Sequence, residues 1–107
     1  MKPLLFALVL TAFGVVQAQD HYISGGSQLG CSDSEYYEQL VSYAVQGDMA
    51  AFEQALVQAA YAGVCIAFES GESVYLEDTK IWSGLTKVRR PGDTVGYWTQ
   101  IEAVESR

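Results

Sequence analysis

Two cysteines are the residues with the clearest capacity for covalent chemistry. Cys31 and Cys65 are the only cysteines in the 107 residues. A lone pair of cysteines in an exported chain is typical of one disulfide, and its spacing is unlike the C-x-x-C of redox-active pairs. A metal site is the alternative, but it would need further ligands, and the only histidine is His21. We therefore predict a structural Cys31–Cys65 disulfide, with no metal and no cofactor.

Four aromatic residues are the candidate binding residues: Tyr75, Trp82, Tyr97 and Trp98. They fall in a region whose pattern is typical of strands. Because neighbours in a strand point to opposite faces, one ring of the Tyr97-Trp98 pair is expected to face outward. Two interpretations stay open: the rings fill a small core, or the outward ring joins Trp82 in a platform for a peptide or a sugar.

Catalytic residues are not expected, because an enzyme needs a positioned acid, base or nucleophile. Glu77 and Asp78 are adjacent carboxylates. In a strand they would point to opposite faces, and in a loop they are typical of a solvated turn. Glycoside hydrolysis by carboxylates usually needs a larger cleft than this chain can build. A small hydrolase is the third option, behind two kinds of binding protein.

The start of the chain resembles a secretory signal. Met1-Lys2-Pro3 is a short basic start, an apolar run follows, and Val16-Gln17-Ala18 is a small-x-small cleavage pattern. We predict a signal peptide at 1–18 and a periplasmic or secreted bacterial protein; the alternative is a transmembrane anchor or a core helix. No other stretch is long and apolar enough to span a bilayer.

A helical hairpin is predicted at about 33–62. Residues 19–30, rich in Gly and Ser, are predicted to be a flexible leader. A capping box with Ser32 and Glu35 begins the first helix, and Asp48 caps the second. The helices should pack antiparallel, so that the disulfide closes the open end of the hairpin.

Strand patterns follow the helices, from about 64 to 104. Short alternating segments are separated by tight turns, and 77–83 is expected to be a loop. The predicted fold class is α+β: an N-terminal helical hairpin packed on a small antiparallel sheet or barrel. Residues 31–107 would form a single domain.

Residues 64–104 carry a family resemblance. Its residues are the stretch 69–76 and a second segment, Thr86-Lys87-Val88-Arg89 with Gly92, Thr94, Gly96, Tyr97 and Trp98. The two segments resemble the bacterial SH3-like domain, a five-strand barrel common in exported proteins. The chain differs in having helices where that family has a further strand. The resemblance implies a non-catalytic module that binds peptides or cell-wall material.

Charge is distributed unevenly along the chain. The net charge is −7; residues 19–79 contain ten acidic and no basic residues, whereas 80–107 contain five basic and three acidic ones. Nucleic acid is excluded as a partner, because phosphate contacts need clustered Lys and Arg. The acidic half is either an ordinary solvated face or a surface that attracts a basic protein.

The predicted function is that of an exported, non-enzymatic binding module of the SH3-like kind, which recognises cell-wall material or a peptide. The alternative is an inhibitor or immunity-type protein. It would bind a basic exported hydrolase through the acidic helical half.

Overall fold

Seven antiparallel strands form one sheet, and two helices lie between its second and third strands in the chain. The computed structural model describes residues 21–26 and 28–107, so the predicted signal peptide lies outside the described residues. The elements are β1 (His21–Ile23), β2 (Gln28–Cys31), α1 (Ser34–Val45), α2 (Met49–Ala62), β3 (Cys65–Phe68), β4 (Ser73–Lys80), β5 (Leu85–Arg89), β6 (Gly96–Gln100) and β7 (Val104–Ser106), with 3₁₀ turns at Ile81–Ser83 and Ile101–Ala103. The order across the sheet is β3-β2-β6-β5-β4-β1-β7. In the described part of the chain, no helix is long and apolar enough to cross a membrane.

The α+β class is confirmed, but the helical hairpin is not N-terminal. β1 and β2 precede it, in the segment expected to be a flexible leader. β1 pairs with β4 and β7, and β2 pairs with β3 and β6. Such short strands show no alternation that sequence reasoning could detect. Gly30 of β2 packs directly on the Phe68 ring, where any side chain would collide.

The helices begin and end at capping residues. Asp33 caps α1 by accepting a hydrogen bond from the Glu35 N–H over 2.9 Å, so the cap lies one residue after the predicted Ser32. Asp48 caps α2 through the Ala51 N–H, as predicted. The helices pack against each other, and the Tyr36 hydroxyl donates to the Ala55 carbonyl over 2.8 Å.

The sheet curls but does not close. β3 and β4 are joined by four residues, yet they lie four positions apart in the sheet. A flat sheet would separate them by about 19 Å, at roughly 4.8 Å a strand, which so short a connection spans only with difficulty. Curling buries one face around Ile23, Phe68, Val74, Val88 and Tyr97. Among the described residues no pairing joins the edge strands β3 and β7, so a closed barrel is not formed.

The helices cover the other face of the sheet. This second cluster contains Cys31, Tyr37, Leu40, Ala59, Cys65, Leu85 and Trp98. The predicted loop at 77–83 is only partly a loop, because β4 continues to Lys80. Its register shifts between Leu76 and Asp78, which interrupts the alternation that marks a strand in sequence.

The Cys31–Cys65 disulfide is present. Cys31 ends β2 and Cys65 begins β3 directly opposite, with their Cα atoms 4.0 Å apart. Both residues are buried. The chain leaves the sheet for the helices at one cysteine and returns at the other, so the bond ties the base of the hairpin to the sheet.

Replacing both Cys31 and Cys65 with Ala should lower the free energy of unfolding by roughly 3–4 kcal/mol, because the bond closes a loop that contains both helices. Urea unfolding of oxidised wild type, reduced wild type and the double variant measures this. The reduced protein and the variant should have matching lowered midpoints. An unchanged midpoint in both would show that the bond adds no stability.

Candidate functional site

The four predicted aromatic residues do not share one exposed surface. Trp82 lies in the 3₁₀ turn after β4 and is 99% exposed. Tyr97 and Trp98, by contrast, are each only 7% exposed. They point to opposite faces of β6 as expected, but both faces are covered there, so no ring of this pair faces solvent.

Trp98 packs under the helices and is flanked by two ammonium groups. The Nζ atoms of Lys80 and Lys87 lie 4.8 Å and 5.9 Å from its ring centroid. Tyr97 lies in the curl of the sheet, and its ring meets that of Phe68 edge-on at 6.2 Å. These two aromatic residues therefore belong to the core.

Tyr75 is half-buried on β4, and the Arg89 guanidinium lies 4.6 Å from its ring centroid. Arg89 also forms an ion pair with Glu77 over 2.8 Å. Asp78 accepts a hydrogen bond from the Thr79 N–H. The two adjacent carboxylates thus have separate partners and do not act as a pair.

His21 lies in β1, opposite Val74 of β4 and Ser106 of β7. It lines a cavity of about 180 Å³ between these strands. Within the described ranges, no group of three or more His, Cys, Asp or Glu side chains is arranged to hold a metal ion.

The helical hairpin presents unpaired negative charge. Its acidic residues are Asp33, Glu35, Glu38, Asp48 and Glu53, all exposed, and it contains no Lys or Arg. The two aspartates cap the helices. The only ion pairs among the described residues are Arg89–Glu77 and Arg90–Glu72, and both lie outside the hairpin. None of these five carboxylates therefore has an ion pair, although the Lys80 ammonium donates to the Ser34 hydroxyl at the start of α1 over 2.7 Å.

Helix α2 is an apolar helix with an open face. Only one of its 14 residues, Glu53, is charged, and only Ala59 is buried. Met49, Val57 and Tyr61 are exposed and recur with Glu53 at every fourth position, so they lie in one row along the helix. We call this row, together with the unpaired acidic residues Glu35 and Glu38, the hairpin surface.

A groove runs between α2 and the edge strand β3. It has a volume of about 410 Å³ and a mainly apolar lining of Gln28, Leu29, Leu56, Ala60, Cys65, Ile66 and Ala67. Sequence reasoning missed both the groove and the open row. The available signal was the composition of α2, since one charge is too few for a helix that faces water on most sides.

Arg90 joins β3 to the turn that precedes β4. Its Nε donates to Glu72 over 2.8 Å, and its Nη2 donates to the Ala67 carbonyl over 3.1 Å. Burial is the largest single effect on Glu72 and opposes ionisation. The hydrogen bonds from Arg90 and the Glu69 N–H, together with the positive charge of Arg90, outweigh it and lower the pKa of Glu72 below its ordinary value of 4.5.

Comparison with known proteins gives no relative: no protein-family model, curated protein or solved structure matches this chain.

The two tryptophans should differ sharply when each is replaced with Ala. Trp98→Ala should cost about 3–5 kcal/mol of stability, because it leaves a cavity beneath the helices. Trp82→Ala should change stability by less than about 0.5 kcal/mol, because its side chain packs on nothing. Urea unfolding of the two variants checks this, and similar losses in both would contradict the burial of Trp98.

Acid should weaken the fold partly through Glu72. Because its pKa is lowered in the folded state, its stabilising effect is present above the ordinary value of 4.5 and is lost as the pH falls through the folded value. Glu72→Gln should therefore lower the stability of the fold near neutral pH. It should also make the loss of stability below about pH 4.5 less steep than in the wild type. Thermal melts across the acidic range compare it with Glu53→Gln, whose carboxylate has no ion pair. Parallel curves for wild type and Glu72→Gln would refute the contribution.

Proposed function

We propose that the chain is an exported, non-enzymatic protein that binds a basic protein partner through its hairpin surface. An inhibitor or immunity-type protein directed against a basic exported hydrolase fits this description. The observation that carries the proposal is the combination of unpaired carboxylates with exposed Met49, Val57 and Tyr61 on the same hairpin. The disulfide is consistent with an oxidising location, in the periplasm or outside the cell.

The two parts of the hairpin surface have different roles in binding. Uncompensated negative charge attracts a positive partner over distance and raises the association rate, most strongly at low salt. Exposed apolar side chains slow dissociation, because they are removed from water in the complex. Tyr61 is 90% exposed and belongs to the residue types that most often dominate binding energy.

The geometry also supports a rigid binding surface. Both ends of the hairpin are fixed at the Cys31–Cys65 bond, and Tyr36 links the two helices. A surface that is ordered before binding loses little conformational entropy in the complex. This is a useful property in a protein that must hold its partner tightly.

A second candidate function is recognition of a peptide or of cell-wall material by an SH3-like unit. It is supported by the adjacent strands β7-β1-β4-β5-β6 and by the exposure of Ile81 and Trp82 on the turn between β4 and β5. It is weakened by the burial of Tyr97 and Trp98, which leaves Trp82 as the main exposed ring. We therefore rank it below the hairpin surface.

The test is a binding panel. It contains purified cell-wall hydrolases of basic and of acidic isoelectric point, together with purified cell-wall sacculi. The mature chain should bind basic hydrolases, and raised salt should slow association. The triple variant Glu35→Gln, Glu38→Gln, Glu53→Gln should slow it about tenfold at low salt, since it removes charge and keeps shape.

Trp82→Ala is the matched control, because it removes an exposed ring that belongs to the second candidate site and not to the hairpin surface. It should leave hydrolase binding unchanged. Retention on sacculi that depends on Trp82 would favour the second candidate. Equal binding of acidic and basic hydrolases would contradict the electrostatic basis of the proposal.

A further inference from the structure

The edge strand β3 has backbone groups that point away from the sheet. The Ser32 N–H donates to the Val64 carbonyl, and the 4.0 Å Cα separation of Cys31 and Cys65 is typical of a pair that exchanges no hydrogen bonds. Hydrogen-bonded and non-hydrogen-bonded pairs alternate along β2 and β3, so the N–H and C=O groups of Ile66 point toward β2. The same alternation directs the N–H and C=O groups of Cys65 and Ala67 toward the outer edge, where Ala67 is exposed and Cys65 is buried.

That open edge adjoins the apolar groove beside α2. Cys65 and Ala67 line the groove together with Leu56 and Ala60 of the helix. The Ala67 carbonyl accepts one hydrogen bond from Arg90, and a carbonyl oxygen can accept a second. The site therefore combines an unpaired strand edge, which can form backbone hydrogen bonds, with the apolar groove beside it. These are the two elements of recognition by strand addition.

Charge near this edge selects among possible occupants. Glu53 precedes Leu56 by one turn of α2, and Glu69 directly follows β3; both are exposed and neither has an ion pair. A second copy of this chain would bring two acidic hairpins together, which like charge opposes. The surface is complementary to an extended segment in which apolar and basic residues alternate. Its apolar residues would face α2 and fill the groove, and its basic residues would lie near the carboxylates.

We propose that β3 accepts an extended, basic and apolar segment of the partner protein as an additional antiparallel strand, whose apolar side chains occupy the groove between β3 and α2. This inference rests on the proposed function, because it names the binding mode of the same basic partner. It also explains why α2 leaves Leu56 and Ala60 only partly covered.

The probe is a capped hexapeptide of alternating Lys and Val. In an antiparallel pair, two residues that exchange hydrogen bonds have their side chains on the same face of the sheet. Peptide valines that face the groove therefore pair with Cys65 and Ala67, and their N–H groups point at β3. The same peptide with N-methylated valines cannot form these hydrogen bonds and is the control ligand. Amide exchange followed by NMR should show the Ala67 N–H slowed at least about tenfold by the first peptide and not by the second.

Two variants with equal charge test the groove. Ala60→Lys places a long cationic side chain in the groove, whereas Ala50→Lys adds the same charge to an exposed position of α2 outside it. Lys favours helix, so both variants should fold, and thermal melts verify this. Ala60→Lys should weaken peptide binding at least tenfold, while Ala50→Lys should weaken it by less than about threefold through charge alone.

The outcomes separate this inference from the proposed function. Strand addition would be overturned by any of three results. These are equal weakening of peptide binding by the two Lys variants, peptide binding without protection of the Ala67 N–H, and no binding at about 1 mM peptide. None of these results would affect hydrolase binding in the panel, which tests the proposed function. Sedimentation that shows a dimer broken by Ala60→Lys would assign the edge to a second copy and would also overturn the inference.

Discussion

The pairing of β2 with β3, covalently fixed at Cys31–Cys65, is the interaction on which the rest of the structure depends. It brings together the two ends of a helical hairpin that could not be stable alone, since α2 buries only Ala59 completely. It also places the hairpin over β6, where Trp98 needs cover. The sheet, the helices and the edge strand thus share one point of attachment.

That attachment also explains the unusual surface of the hairpin. Helices tied to a sheet by a disulfide do not need a wide apolar face in the core to stay in place. Met49, Val57 and Tyr61 can therefore face solvent without loss of the fold. Apolar residues kept in water are typical of an interaction surface, and in the proposed function the neighbouring acidic residues attract a positive partner.

Sequence reasoning was most successful where signals are local. Capping residues and left-handed glycines, such as Gly63 with φ 74°, delimit helices over few residues, and the predicted span of about 33–62 contains both helices. The disulfide followed from the compartment and from the lack of other cysteines. The strand β5 lies within the predicted strand region of about 64–104, and its Leu85 and Val88 point to different buried faces of the sheet.

Long-range pairing was beyond sequence reasoning. The strands β1 and β2 have three and four residues and are stabilised by partners from 34 to 85 residues away in the chain. The burial of Tyr97 and Trp98 depends on cover from both sides, which alternation in one strand cannot reveal. The groove exists only because β3 lies at the edge of the sheet, a consequence of topology and not of its own residues.

The most direct test of the hairpin surface is a map of backbone amide NMR shifts when the isotope-labelled chain is titrated with a basic hydrolase. We predict that the largest changes fall in 33–69, within the two helices and β3, and that they exceed any change in the turn Ile81–Ser83, which lies beside Glu38. Changes centred on Ile81 and Trp82, with the helices unperturbed, would contradict it and would assign binding to the strand region instead.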